Sequence, residues 1–360
     1  MKAAVFYRSN EDLVIEDIDV DAPGPREVLV RTVASGVCHS DLLFVDGISR
    51  WPAPAVLGHE GAGIVEAVGS EVTYVRPGDR VVATGVAFCG QCEECITGNP
   101  HRCLDRPRRP RGEPSRLSKN GERVTQLTNV GSFAEQMLVP ESGVVKVPAE
   151  VPLEVACLVG CGVITGLGAV FHAAEVRPGS TVAVFGAGGV GLSAIQGARI
   201  AGARAVIAVD ITPEKLAKAR ELGATDAVNA AEVADPVAAV HELTGRGVDY
   251  AFEAIGSPAT AVQALASVKP GGIATIIGAV PGESKLEFPY SLLREDRRLQ
   301  SVLMGKTRSR VDMPRYFDLY LRGDLMLDEM VSSRRRLDEV NDAFRDQRAH
   351  RGTRTVLHFD

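Results

Sequence analysis

Cys38 in GVCHSD, His59 in GHEGAG and Cys161 in VGCGVITG are thiol and imidazole side chains scattered over the first half of the chain, the last shortly before a glycine-rich loop. Two thiolates and one imidazole on a Zn²⁺ leave its fourth tetrahedral position for water or substrate, the arrangement of a catalytic rather than a structural zinc. Beside a dinucleotide, the chemistry expected of such a metal is alcohol oxidation or its reverse. The metal lowers the pKa of the alcohol or polarises the carbonyl, while hydride moves between the carbinol carbon and the nicotinamide. Ser40, two residues after the first ligand, has a hydroxyl that can both accept and donate the alcohol proton. Asp41 is a candidate to hold the second nitrogen of His59 and fix the ring. Glu60 either approaches the metal or serves packing.

A second cysteine set has the opposite character. Cys89, Cys92, Cys95 and Cys103 lie in FCGQCEECITGNPHRC, where two-residue gaps let thiolates converge and a longer loop returns the fourth. Four thiolates close the coordination sphere, so this set reads as structural zinc, and the lobe that carries it depends on the metal for stability. Seven cysteines in 360 residues, six of them at ligand spacings, do not read as a disulfide framework. Cys157, the one left over, is flanked by apolar residues and reads as a plain buried thiol.

The glycine loop is GAGGVG at 186–191. It follows an apolar strand, opens a helix, and is answered by Asp210 at the end of the next strand. Gly186 permits the tight turn, Gly188 lets the backbone approach a pyrophosphate, and Gly191 allows close packing of helix on strand, while the helix N-terminus offers positive potential to the phosphates. Asp210 accepts hydrogen bonds from the adenosine ribose and repels a 2′-phosphate, which favours NAD over NADP. Lys215, in the next helix, is a further candidate for the ribose.

These residues need elements to hold them. The first part of the chain is punctuated by Pro and Gly and carries β-rich runs at 3–7, 28–33, 63–68 and 80–83, which suggest a barrel or sandwich. From about residue 180 strands (181–185, 205–209, 248–254, 273–278) alternate with helices (190–201, 213–222, 235–244, 257–268), the grammar of a parallel, doubly wound sheet. Thr212 is expected to cap the helix at 213, with Pro213 at its first position and Gly223 ending it. After about residue 301 the chain fits no further βα unit and is expected to return to the first domain. At 45% hydrophobic and 24% charged residues with a formal net charge of −6, the composition is that of an ordinary soluble protein and does not point to nucleic acid. No signal core opens the chain and its apolar runs read as too short and glycine-broken for a bilayer, so the expectation is cytoplasmic, with no membrane or nucleic-acid partner.

Taken together and in this order, the GVCHSD, GHEGAG, four-cysteine and GAGGVG segments resemble the zinc-containing alcohol dehydrogenases of the medium-chain dehydrogenase/reductase family, over nearly the whole chain. The resemblance implies an α/β protein: a β-rich GroES-like catalytic domain over 1–162 and 302–360, with a structural zinc lobe at about 88–104, and a Rossmann-type NAD domain over 163–301. It implies NAD and two Zn²⁺ per subunit as cofactors, a small alcohol or aldehyde as substrate, and a homodimer, or a homotetramer, joined through the NAD domains. Cys38, His59 and Cys161 match the family's catalytic zinc ligands, Glu60 its occasional alternative ligand and Ser40 its relay hydroxyl; Cys89, Cys92, Cys95 and Cys103 match the structural set. His39, Thr165, Gly186, Gly188, Gly189, Val190, Gly191, Asp210, Lys215, Ile277 and Arg354 match coenzyme-contacting positions, with His39 and Arg354 near the pyrophosphate.

Two departures from the family stand out. Leu43 occupies the place, three residues after Ser40, where liver-type enzymes end their proton relay with a histidine. Gly85 stands where a bulky aromatic usually lines the substrate pocket, which predicts a roomier site suited to aromatic or branched alcohols. Arg106, Arg108, Arg109, Arg111 and Arg116 form a basic, proline-rich loop that either binds anionic substrate groups, as in formaldehyde dehydrogenases acting on glutathione or mycothiol adducts, or is simply solvated. A non-catalytic NAD-binding protein is the competing reading from another class, and an open zinc position speaks against it.

Overall fold

The computed structural model of the chain describes residues 1–107 and 116–359. The chain divides into two units: Met1–Cys161 with Arg308–Gly323 and Val331–Asp360, and Gly162–Thr307 with Asp324–Met330. The boundaries differ from the sequence expectation at both returns. Residues 302–307 and Asp324–Met330 belong to the second unit, and Gln196 fastens the latter segment by accepting from the Met326 N–H (2.8 Å) and donating to the Met326 carbonyl (3.2 Å).

The first unit is built on antiparallel pairing. Strand Glu27–Val37 lies at the centre of a seven-stranded sheet, between Glu60–Val68 and Arg354–His358, with Gln136–Pro140 also paired to it. A six-stranded sheet runs from Val14–Asp17 through Lys2–Phe6, Ala55–Val56, Glu122–Gln126 and Leu117–Lys119 to Asp19–Val20. The core between these elements holds Phe133, Leu42, Leu57 and Phe344. Glu27–Val37 starts with the alternation of a half-buried strand and ends fully buried, because its C-terminal half carries the chain into the Cys38 turn.

The second unit is the parallel sheet expected of the βα pattern. Its strand order is Asp226–Asn229, Ala205–Asp210, Thr181–Phe185, Val248–Glu253, Val268–Ile276, Arg298–Ser301, every pair parallel. The chain winds outward from Thr181–Phe185 in one direction, then returns to continue on the other side, so the switch point lies between Thr181–Phe185 and Val248–Glu253. All five residues of Thr181–Phe185 are buried, as a strand covered on both faces must be. The two outermost strands carry no sequence signal: DAVN and RLQS are short, polar and half-exposed because each has only one neighbour. Thr212 does not cap its helix through its side chain; the Asp210 carboxylate takes the Thr212 N–H instead (2.9 Å). Asp235 does cap, accepting from the Val237 N–H at 2.8 Å.

One helix corrects the expectation about apolar runs. Leu153–Ala173 is 21 residues long and its most apolar 18-residue window has a mean hydropathy of 2.0, enough to cross a bilayer, but 94% of that window is buried inside the fold, the setting of a core helix. Its glycines make it a poor α-helix, and its regular turns are interrupted by π turns at Val159–Val163 and Ala169–Ala173.

Candidate active site

Cys38 closes the buried end of strand Glu27–Val37 and sits at the N-cap of helix His39–Val45. Asp41, three residues on and fully buried, gathers three donors. Its Oδ2 accepts from the Cys38 N–H (3.2 Å), and its Oδ1 accepts from the Gly58 N–H (2.9 Å) and from His59 Nδ1 (3.1 Å). One carboxylate thus ties the segment of the first ligand to that of the second, and with its proton on Nδ1 the His59 ring presents Nε2 as a lone pair. Cys161 comes from the π turn Val159–Val163, a local widening common where a helix must aim a functional side chain. Gly160 lets that turn press onto strand Arg80–Ala83: a Cβ there would stand 2.5 Å from the Ala83 carbonyl oxygen.

The result is a buried cluster in which ligand atoms of Cys38, His59, Glu60 and Cys161 all lie within 4.8 Å of one another. Cys38 is held well below the ordinary thiol range, first by its hydrogen bond to Cys161, against the cost of burial, with His59 and Arg354 adding to the effect. His59 is raised well above the ordinary imidazole value; burial opposes this most strongly, but the charges of Asp41 and Cys38 outweigh it. A thiolate-rich, ring-oriented set of this kind fits a zinc ion. Glu60 is fully buried and ion-paired with Arg354 through Oε2, so Arg354, matched in sequence to a coenzyme contact, is engaged with a neighbour of the metal set. Gly36 makes room for that pair, since a Cβ there would overlap the Glu60 carboxylate. His39 is exposed at the first turn of its helix, and Ser40 and Leu43 are half-exposed on the same helix, three residues apart and therefore on one face.

Asparagine at position 41 would keep the shape while losing the charge and half of the acceptors. Asp41→Asn is expected to lower zinc occupancy of the buried set, or kcat/KM at full occupancy, by roughly 10- to 100-fold. Elemental analysis alongside steady-state kinetics checks it; unchanged values in both would remove Asp41 from the role.

The four-cysteine lobe also fits its metal. Cys89, Cys92, Cys95 and Cys103 converge within 4.8 Å, with Sγ–Sγ separations of 4.0 Å (Cys89–Cys95) and 3.8 Å (Cys92–Cys103). These are too long for disulfides and close to the edge of about 3.8 Å for a tetrahedron with Zn–S of about 2.3 Å. Backbone N–H groups of Cys89, Gln91 and Cys92 point at the sulfurs, as they do at thiolates. Cys92 is drawn down to about 6, first by backbone N–H groups of Cys95 and Leu104, whereas burial pushes Cys95 up to about 12. Cys157 is fully buried, donates to the Glu154 carbonyl, and is raised by burial, an inert thiol.

In the second unit the GAGGVG loop lies at the switch point. Gly186 adopts φ +95° and packs against Ala254 and Ile255; a Cβ on Gly191 would overlap the Gly186 carbonyl oxygen; a Cβ on Gly188, at the N-cap, would meet nothing within 4 Å. The last is the cradle a phosphate needs, next to the free N–H groups of the helix that begins at Gly189 and Val190. Asp210 is half-exposed, with Oδ2 accepting from the Ala187 N–H (2.7 Å) and Oδ1 from the Thr212 N–H, which aims it while leaving a lone pair on each oxygen for a ribose. Lys215 is half-exposed on helix Pro213–Glu221. Thr165, buried, donates to the Met304 sulfur (3.8 Å), and the neighbouring Gly166 packs against the Val190 carbonyl.

Sequence reasoning missed Glu253. Buried at the end of its strand, its Oε1 accepts from Ile255, Gly256 and Thr260 (2.8–2.9 Å), and its carbonyl accepts from the Ile277 and Gly278 N–H groups. It clamps the loop that packs on Gly186 to the one that carries Ile277. Its signal was an acid closing an otherwise apolar strand, VDYAFE.

Gly85 lines a cavity of about 360 Å³ in the first unit with Trp51, Arg106, Arg123 and Thr128. The space left by the absent aromatic is shared with Thr128, whose Cβ lies 3.0 Å from where a Gly85 Cβ would stand. Arg116 pairs with Asp21 and Glu27. Arg108, Arg109 and Arg111 lie outside the described residues.

Residues 24–149 match the alcohol dehydrogenase GroES-like domain and residues 189–322 the zinc-binding dehydrogenase domain. An alcohol dehydrogenase zinc-binding domain protein from Burkholderia ambifaria is 39% identical, with a TM-score of 0.94, over 100% of this chain and 98% of that one. Benzyl alcohol dehydrogenase from Acinetobacter calcoaceticus is 36% identical, TM-score 0.92, over 100% and 99%. A zinc-binding dehydrogenase from Sinorhizobium meliloti, solved with NADP bound, is 27% identical, TM-score 0.82, over 99% of each chain. With a zinc-fitted cysteine–histidine set on a GroES-like unit, a glycine loop at the switch point of a parallel sheet, and identities of this order over full length, the chain belongs to the zinc-containing alcohol dehydrogenases of the medium-chain dehydrogenase/reductase family.

Proposed function

We propose that the protein catalyses reversible hydride transfer between a primary alcohol and NAD, and that its preferred alcohols are aromatic or branched. The buried Cys38–His59–Cys161 set carries this reading: two thiolates and an oriented imidazole would hold a zinc ion and leave a position for substrate oxygen. The zinc, when bound, supplies Lewis acidity toward that oxygen. Cys38 and Cys161 keep the set anionic, Asp41 holds the His59 ring in register, and Ser40 accepts the alcohol proton and passes it outward. With Leu43 unable to receive that proton, its exit is to water reached from Ser40. Gly188 and the first turn of helix Gly189–Ile200 receive the pyrophosphate, Asp210 takes the ribose hydroxyls, and its charge disfavours a 2′-phosphate.

An aromatic preference is supported by Gly85 on the cavity wall, beside Trp51, and by the similarity to a benzyl alcohol dehydrogenase. Ring burial of this kind discriminates by a few kcal/mol, so kcat/KM for benzyl alcohol is expected to exceed that for ethanol by roughly a hundredfold. The same panel run with both coenzymes is expected to favour NAD over NADP, with Asp210→Ser narrowing the gap by at least about tenfold. Ethanol matching benzyl alcohol would end the aromatic reading, and an unchanged coenzyme ratio in Asp210→Ser would end the assignment of Asp210. Arg106 on the same cavity supports a second reading, oxidation of a hydroxymethyl adduct of glutathione or mycothiol; formaldehyde turnover strictly dependent on such a thiol would favour it.

A further inference from the structure

Two acids end the two strands that flank Thr181–Phe185, and the fold treats them oppositely. Asp210 closes Ala205–Asp210 on one side, half-exposed and with a lone pair free on each oxygen. Glu253 closes Val248–Glu253 on the other side and is fully buried. Its Oε1 accepts from the Ile255 N–H (2.9 Å), the Gly256 N–H (2.8 Å) and the Thr260 hydroxyl (2.8 Å). Its Oε2 is buried without a partner, and a Cβ on Gly278 would stand 2.7 Å from it. No ligand reaches this carboxylate, so whatever it does for one it does at a distance.

Each hydrogen bond to the Glu253 side chain is donated to it, the surroundings of a carboxylate; a carboxylic acid would carry an O–H with nothing to receive it. Among the described residues no Lys or Arg pairs with it. Its partners are dipoles, two backbone N–H groups and a hydroxyl at the N-terminal turn of helix Pro258–Ser267, which orient around a charge without cancelling it. The charge therefore acts through a poorly screened interior. Only one layer of backbone covers it, since Ile255, whose N–H it holds, is 48% exposed. A doubly wound sheet binds a dinucleotide across its switch point, one nucleotide over each half. With the adenosine assigned to Asp210, the nicotinamide half falls to the side of Val248–Glu253 and Val268–Ile276. Glu253 also fixes the loops of that side. Its carbonyl accepts from the Ile277 and Gly278 N–H groups (2.7 and 2.9 Å), and Gly256, at φ +89°, packs on Ala279.

We propose that Glu253 is a fixed anion that biases the site between the two redox states of its coenzyme, raising affinity for NAD⁺ relative to NADH. The nicotinamide ring is a cation in NAD⁺ and neutral in NADH, while the pyrophosphate is common to both, so a buried negative charge on the ring's side separates them. The direction suits alcohol oxidation, because the product form is the one held less tightly. This rests on the NAD reading above, and it names which form of the coenzyme the site favours.

Calorimetric titration of the metal-replete full-length protein with NAD⁺ and with NADH gives the ratio of the two dissociation constants without turnover. Glu253→Gln keeps the shape and an acceptor for the same donors but removes the charge, and it is expected to shift that ratio toward NADH by roughly three- to tenfold. Glu253→Asp keeps the charge and shortens the reach, so it is expected to weaken both forms together at an unchanged ratio. Glu242→Gln, exposed on helix Pro236–Thr244, removes the same charge from the same unit and leaves the ratio where it was. A merely structural role for Glu253 would move both constants or the thermal midpoint, not their ratio. A ratio unchanged in Glu253→Gln, or moved as far by Glu253→Asp, overturns the proposal. If Glu253→Gln does not fold, Glu253→Met, neutral and of similar length, carries the same expectation. A parent protein that binds neither form sinks the coenzyme reading, whereas a parent that binds both at a ratio indifferent to residue 253 sinks this inference alone.

Discussion

Cys161→Ser is expected to lower kcat/KM for every alcohol by roughly a thousandfold or more and to lower the zinc content by one ion per chain. Serine is nearly isosteric, so the helix that carries residue 161 has no packing reason to move. What changes is chemistry: a hydroxyl does not ionise near neutral pH, and the set drops from two thiolates to one. Glu60 is the nearest replacement donor, but it is fully buried and ion-paired with Arg354, and pulling it toward a metal would leave a buried guanidinium uncompensated, which costs several kcal/mol. The four-cysteine lobe shares no residue with the buried set and should keep its ion. Zinc determination on the variant, paired with circular dichroism, separates loss of metal from loss of fold. Full turnover, or an unchanged zinc content, would remove Cys161 from the mechanism.

Gly191→Ala should have the largest effect on stability, about 3 kcal/mol or more, together with loss of measurable coenzyme binding. The added Cβ overlaps the carbonyl oxygen of Gly186, and neither partner is the end of a flexible side chain. Relief requires moving either the turn at Gly186 or helix Gly189–Ile200, whose Leu192, Ala194, Ile195 and Ala198 are wholly buried. Gly188→Ala is the informative companion. Its φ of −80° suits any residue and its Cβ points into open space, so stability should fall by less than about 1 kcal/mol while coenzyme affinity drops, because the methyl stands where the phosphate would approach. Urea midpoints and coenzyme titrations on the pair check this. A Gly191→Ala variant as stable as the parent would show that the helix can slide away from the strand.

What contiguous residues do was readable without coordinates. The four cysteines within fifteen residues, the glycine loop between an apolar strand and a helix, and helices opening at Pro213, Pro236 and Pro258 follow from local spacing and local backbone preference, and they sit where that spacing implies. Asp41 was legible as a partner for His59 because a buried imidazole on a metal calls for an acceptor behind it.

Tertiary structure decided the rest, wherever two segments far apart in sequence set each other's environment. Asp226–Asn229 and Arg298–Ser301 are strands only because a neighbour supplies half of their hydrogen bonds; alone, their polar residues would read as loop. The Glu60–Arg354 pair joins residues 294 apart, so no local pattern could announce that the arginine matched to coenzyme is held by a carboxylate beside the metal. The helix that aims Cys161 owes its existence to burial that overrides its glycines. A residue's type limits what it can do; whether its polar atoms find partners is settled only by what the fold brings against them.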